Sequence, residues 1–258
     1  MNILIFGKDG QLGKAFQFLF QRSALSDDIY IQYVGRRDCD LSQQDAVKQC
    51  LILAKPDLII NAAAYTAVDK AETEMELAFA INAKAPEVMA SYAVEHGATL
   101  LHYSTDYVFD GSKTGPYSEK DVRNPLGAYG KSKAAGELAI ERMFSSSHQG
   151  RYAIFRTSWV YGSGGNFIKT ILRLAKERDE LRVIQDQVGV PTSADWLAAV
   201  SLDLALKSDG QLLAFDSGIY HAVPPGATNW YALACLVVKT ARDAGVSLKL
   251  SQEAIKPI

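Results

Sequence analysis

The sequence predicts an α/β fold, a doubly wound parallel sheet with a smaller C-terminal lobe. Three observations carry that prediction. Short β-rich runs alternate with stretches of helical periodicity from the first residues onward, as βαβ units require. A glycine-rich bend separates the first strand from the first helix, and the alternation loosens only after Pro191.

Taken in order, "NILIFG" reads as a buried strand, followed by a helix over Gln11 to Arg22. There Leu12, Ala15, Phe16, Leu19 and Phe20 recur at helical spacing and form one apolar stripe to pack on a sheet. "IYIQYVG" is the second strand and Asp45 to Ala54 the second helix; "DLIINAAAY" is the third strand, with one long helix expected from Glu72 to His96. Gly97 supplies the left-handed residue that ends that helix, and His96 suits its negative end. The fourth strand is "TLLHYSTDYVF". A long polar loop, "DGSKTGPYSEKDVRNPLGA", then leads to a helix around Ala128–Phe144, and ordered loops of this length usually serve a site. A strand in "YAIFRTSWVYG", a helix in "FIKTILRLAKERDE" and a short strand in "LRVIQDQ" follow. Later segments are a helix near Ala194–Lys207, a strand "GIYHAV", a helix around Trp230–Ala244 and a strand-like "SLKLS". The expected division is a main domain over 1–180, to which late segments return, and a lobe over 181–258.

Composition narrows the function. With 27 Lys+Arg against 29 Asp+Glu the net charge is −2, which offers no basic footprint for nucleic acid and no polybasic patch for a membrane. The apolar runs are too short to span a bilayer and no leader pattern precedes the first strand, so a cytoplasmic protein with a small-molecule partner is expected. Cys39, Cys50 and Cys235 are scattered without metal-ligand spacing, so no metal is expected.

The bend "FGKDGQLG" places Gly7, Gly10 and Gly13 between strand and helix, where bare backbone can approach a pyrophosphate and the helix's unpaired amides and positive end stabilise its charge. The spacing is GxxGxxG rather than GxGxxG, so the turn alone leaves open a purely structural role. The next strand ends at "YVGRRD", with Arg36 and Arg37 where an acidic residue would hold a ribose diol. Guanidinium groups there suit a 2′-phosphate, which favours NADPH, with NADH possible; two solvated loop arginines are the alternative.

The chemistry is concentrated in "YSTDYVFDG" and "AYGKSKAAGE". Tyr129 and Lys133 are four apart and share one helix face. A phenol near pKa ~10 needs a neighbouring cation to exchange protons at neutral pH, which Lys133 is expected to provide by lowering the pKa of Tyr129. Thr105, with Ser104 beside it, is positioned to hydrogen-bond a substrate carbonyl while Tyr129 delivers the proton.

At these residues the sequence resembles the extended short-chain dehydrogenase/reductases, a Rossmann-type family, and within them the dTDP-4-dehydrorhamnose reductase family. The resemblance runs from Met1 to about Ala244 and also rests on "NAAAYTAVDKAE", "FRTSWVYG", "NFIKTILRLAKER" and "DQVGVPT". It implies a cofactor site in which Gly10, Gln11 and Leu12, beside Gly7, meet the pyrophosphate. It puts Asp40 and Leu41 by the adenine, and Ala62, Ala63, Ala64, Tyr65 and Thr66 by the ribose and nicotinamide. It implies a catalytic set of Thr105, Tyr129 and Lys133, the last two also touching the cofactor, with Thr105, Asp106 and Trp159 contacting a nucleotide-sugar substrate. Core packing is the alternative role for Trp159. The implied reaction is reduction of a 4-keto sugar nucleotide for cell-surface polysaccharide, by a monomer or homodimer. Some members bind a metal through a carboxylate where Lys14 and Ala15 stand here, so the resemblance implies none. Members run on past the position of Ile258, so the substrate lobe is expected to be incomplete.

Related dehydratases follow the threonine with Asp-Glu, whereas here Asp106 precedes Tyr107, which favours net reduction. The alternatives are another nucleotide-sugar reductase or epimerase, and a non-catalytic NADP-binding subunit like the regulatory subunit of methionine adenosyltransferase.

Overall fold

The computed structural model describes residues 1–23, 28–147 and 149–258. In chain order it contains β1 (Asn2–Phe6), α1 (Gln11–Arg22), β2 (Tyr30–Val34), α2 (Gln44–Ala54), β3 (Leu58–Asn61), α3 (Val68–Ala71), α4 (Met75–Phe79), α5 (Ala85–His96), β4 (Thr99–Thr105), α6 (Ala128–Ser145) and β5 (Arg151–Thr157). There follow β6 (Val160–Tyr161), α7 (Phe167–Glu177), β7 (Leu181–Val183), β8 (Val188–Gly189), β9 (Thr192–Ser193), α8 (Ala194–Ala205), β10 (Gly218–His221), β11 (Thr228–Asn229), α9 (Trp230–Asp243) and β12 (Ile255–Pro257).

The chain divides into two compact units, Met1–Thr157 with Asp195–Ala222, and Ser158–Ala194 with Val223–Ile258. The boundary therefore falls after Thr157 rather than near residue 180, and the helix α7 groups with the later segments. The first unit holds a six-stranded sheet in the order β10-β5-β4-β3-β1-β2, with every pair parallel. Parallel strands are covered on both faces, and β3 and β4 are accordingly buried at every residue. The strand order reverses between β1 and β3, the place where open α/β sheets bind ligands. The predicted α1 stripe is realised, with Leu12, Ala15, Phe16 and Phe20 buried.

Two expectations are corrected. The single helix over Glu72 to His96 is instead α4, a π turn at Ala80–Lys84 and α5. Pro86 has no N–H to offer the Asn82 carbonyl, so the helical ladder widens there. Gly136 of α6 packs into the same place, where a methyl group would stand 2.1 Å from the Asn82 oxygen. "SLKLS" forms no strand; the terminal strand is β12, paired parallel with β7.

The second unit has its own core of Ile171, Ala175, Leu181, Val183, Ala234 and Val238 with their neighbours, between α7, α9 and the β7–β12 pair. Both helices are capped by asparagine: Asn166 accepts from the Lys169 amide at 3.0 Å and Asn229 from the Ala232 amide at 2.7 Å.

Candidate active site

The ends of β1 and β3 meet at the glycine turn. Gly7 has φ +89°, and a Cβ there would lie 2.8 Å from the Ala62 carbonyl. At Gly13 a Cβ would stand 2.1 Å from the Gly7 oxygen, so both positions exclude side chains. The turn is closed by Gly7 N–H donating to the Val34 carbonyl at 2.9 Å and Gly10 N–H to that of Gly7 at 3.0 Å. Gly10 caps α1 with no side-chain acceptor and no acid stands in its first turn, so the helix opens with a positive end and no carboxylate of its own. Gln11 begins the helix and Leu12 is buried beneath it. This cradle fits the pyrophosphate of a dinucleotide.

At the end of β2, Arg36 and Arg37 are exposed. The acid beside them, Asp38, is committed: it accepts from the Gly35 amide at 2.8 Å and pairs with Lys8 at 2.5 Å. That lysine holds the carboxyl below its ordinary range. Asp40 is likewise engaged by the Ser42 amide at 3.0 Å and hydroxyl at 2.9 Å, while Leu41 is buried. Past β3, Ala62 donates its amide to the Phe6 carbonyl at 3.1 Å, and Ala64 and Thr66 are exposed. Ala63 donates its amide to Asn61 Oδ1 at 3.3 Å. Tyr65 is gripped by Asn82, whose side chain accepts from its amide at 2.8 Å and donates to its carbonyl at 3.0 Å.

The third part lies at the end of β4 and the start of α6. Thr105 Oγ1 donates to Asp106 Oδ1 at 2.9 Å and accepts from the Tyr107 amide at 3.3 Å. Burial pushes the Asp106 carboxyl up despite the Thr105 hydroxyl. The Thr105 hydroxyl favours ionisation of the Tyr129 phenol, and Tyr107 packs edge-on against the Tyr129 ring with centroids 5.6 Å apart. Desolvation pushes the Tyr129 phenol up to about 12, the reverse of the expected lowering. The reason is where Lys133 points: its Nζ donates to the Tyr103 carbonyl at 2.6 Å and lies 3.2 Å from His102 Nε2. Burial brings that amine down to about 8.

The residues that hold these groups were not singled out in the sequence. Asn82 also donates to Ser132 Oγ at 3.0 Å, tying α6 to the loop after β3. Glu72 accepts from the Ala128 amide at 2.8 Å and so anchors the first turn of α6. Glu137, fully buried one turn beyond Lys133, binds Arg156 at 2.7 Å and Arg123 at 2.9 Å. The long polar loop is organised by Asp110, which accepts from the Ser112 amide, the Tyr117 hydroxyl and the Asn124 amide group at 2.8–2.9 Å.

Trp159 belongs to the second unit. It has φ +43°, a strained value for a bulky residue, and stacks on Trp230 with ring centroids 3.6 Å apart. Gly189 lies against the indole so closely that a Cβ would be 2.6 Å away.

The family model described as the RmlD substrate binding domain matches residues 1–258. A dTDP-4-dehydrorhamnose reductase of Escherichia coli K12 is 45% identical over 259 residues, covering 98% of this chain and 82% of the relative. Among solved structures, the dTDP-4-dehydrorhamnose reductase of Clostridium acetobutylicum is 36% identical with a TM-score of 0.85, covering 100% of this chain and 84% of the other. That of Bacillus anthracis, in complex with NADP, is 34% identical with a TM-score of 0.83, covering 99% and 84%.

Proposed function

This chain belongs to the dTDP-4-dehydrorhamnose reductase family, and on that premise we propose that it reduces the 4-keto group of dTDP-4-dehydro-L-rhamnose to the alcohol of dTDP-L-rhamnose. It is an NADPH-dependent enzyme, and the cofactor supplies the hydride. The observation that supports the reading is Thr105 at the end of β4 together with Tyr129 and Lys133 one turn apart in α6, in the same unit as a glycine turn that excludes side chains at Gly7 and Gly13.

Gly10, Gln11 and Leu12 receive the pyrophosphate, and Arg36 and Arg37 take the 2′-phosphate. Thr105 and Tyr129 hydrogen-bond the carbonyl oxygen, and Tyr129 gives it the proton as the carbon accepts hydride, so that C=O plus hydride plus proton becomes the alcohol. Holding the phenol at about 12 keeps it protonated until the oxygen becomes basic. Asp106 contacts the sugar nucleotide. The three free cysteines fit work in the cytoplasm, and the protein acts as a monomer or homodimer; no helix among the described residues is long and apolar enough to cross a membrane.

The test is to mix the purified protein with dTDP-4-dehydro-L-rhamnose and NADPH. Equimolar loss of reduced nicotinamide and gain of dTDP-L-rhamnose is expected. NADPH binding without turnover would instead support the regulatory-subunit reading.

A further inference from the structure

Beneath the catalytic helix lies a row of three buried polar side chains, Asn61, His102 and Lys133, each only 1% exposed. Their hydrogen-bond directions can be assigned. Asn61 Oδ1 accepts from the Ala63 amide, so its Nδ2 is the atom 3.1 Å from His102 Nδ1. An amide nitrogen only donates, so Nδ1 is the bare nitrogen and a neutral ring carries its proton on Nε2. That N–H points at Lys133 Nζ, 3.2 Å away. Aimed at an ammonium it is repulsive; aimed at the lone pair of an amine it is a hydrogen bond. The ring has no escape in either direction. A second proton is disfavoured because burial holds His102 well below its usual range, and the other tautomer would set N–H against the Asn61 amide. Glu137, the charged group facing Lys133 along α6, is already shared by Arg123 and Arg156. Tyr103 offers Lys133 only its carbonyl.

We propose that His102 is a positioning residue that weakens the hold of Lys133 on its proton in the cofactor-free protein, leaving an uncharged amine at alkaline pH, so that loading the cofactor there obliges Lys133 to take up a proton. The second half of this rests on the reading that Lys133 meets NADPH. The phosphates and the nicotinamide ribose favour an ammonium, and the proton comes from solvent. Burial acts in the same direction, since it lowers the Lys133 pKa to about 8 in the empty site.

Two measurements test this. In the free protein, nitrogen-15 spectra of His102 should show a protonated Nε2 and a bare Nδ1 throughout the neutral range. Calorimetry of NADP⁺ binding in buffers of different ionisation enthalpy should show uptake of roughly 0.9 proton at pH 9 and roughly 0.1 at pH 7. Asn61→Asp should reverse the tautomer, because a carboxylate accepts from Nδ1–H, and so leave Nε2 to accept from an ammonium; uptake at pH 9 should then fall several-fold. A purely structural role for His102 would lower the melting temperature of the variant but leave its uptake unchanged, and that result would overturn the proposal. A ring protonated on Nδ1, or no uptake by the wild type at pH 9, would overturn it as well, whether or not Asn61→Asp folds. Failure of NADP⁺ to bind at all would count against the proposed function, while the imidazole spectrum would still decide the tautomer.

Discussion

The glycine turn between β1 and α1 and the polar row between β4 and α6 lie in the same sheet-based unit, yet they are built in opposite ways. The turn is made by removing side chains: Gly7 and Gly13 bring backbone against backbone, and the charged groups nearby, Arg36 and Arg37, stay in solvent. The row is made by burying side chains, with Lys133, His102, Asn61 and Glu137 all withdrawn from water and each committed to a partner. A site of the first kind is broken by adding an atom, whereas one of the second kind is broken by removing one. The two therefore fail differently, and mutation can separate them.

The largest separation is expected at Tyr129. Removing its hydroxyl in Tyr129→Phe should leave NADPH affinity within about twofold while turnover falls by roughly 10²–10⁴, the usual contribution of a positioned proton donor. Near-normal turnover would mean that the buried half of the site does not handle the proton. The complementary change is Gly13→Ala, which adds a methyl 2.1 Å from the Gly7 oxygen. Strain of this kind costs about 3 kcal/mol when backbone cannot yield. Unfolding in denaturant should show that loss, with NADPH affinity falling alongside it. Unchanged stability would show that the turn has room the geometry denies.

The same contrast explains what could be read in the sequence. The glycines were legible because close approach of backbone leaves no alternative residue, and Tyr129 and Lys133 because helical spacing alone puts them on one face. The supports of the buried row were not. Asn61 ends "LIIN", His102 interrupts "LLHYST" and Asn82 interrupts "FAINAKAP", and each has a side-chain partner between 17 and 50 residues away. A polar residue in an otherwise buried run is the signal that was there to find. The break in the helix at Pro86 was similarly visible as a proline, but the helical pattern on both sides concealed it. The direction of the Tyr129 shift could not be read at all, because spacing brings Lys133 to the right face without saying where its amine points.

Burial of Lys133 carries a pH signature that the exposed half of the site lacks. Its pKa is near 8 in the folded chain and ordinarily near 10.5. Between those values the unfolded chain holds more protons than the folded one, so this group makes stability rise with pH through that window. From pH 7.5 to 9.5 the gain should be about 2 kcal/mol, and it should vanish in Lys133→Met. Denaturant midpoints at the two pH values measure it. Equal slopes for wild type and variant would mean that Lys133 is solvated after all.

The smallest effect is expected where the charges are exposed, at Arg36 and Arg37. Both guanidiniums stand in solvent at the end of β2, and the neighbouring acids are occupied, Asp38 by Lys8 and Asp40 by Ser42. With Asp38 and Asp40 so engaged, the positive charge of the two arginines suits a 2′-phosphate. Because the pair works in water, screening limits its contribution: Arg36→Ala with Arg37→Ala should weaken NADPH by roughly tenfold at low salt, and by less as salt is raised. NADH affinity should stay within about twofold, since that cofactor has no phosphate there for the arginines to meet. Fluorescence titration with both cofactors at two salt concentrations reads all four affinities. Equal weakening of NADPH and NADH would show that the arginines shape the turn rather than recognise the phosphate, and the exposed half of the site would then be structural in the same sense as its glycines.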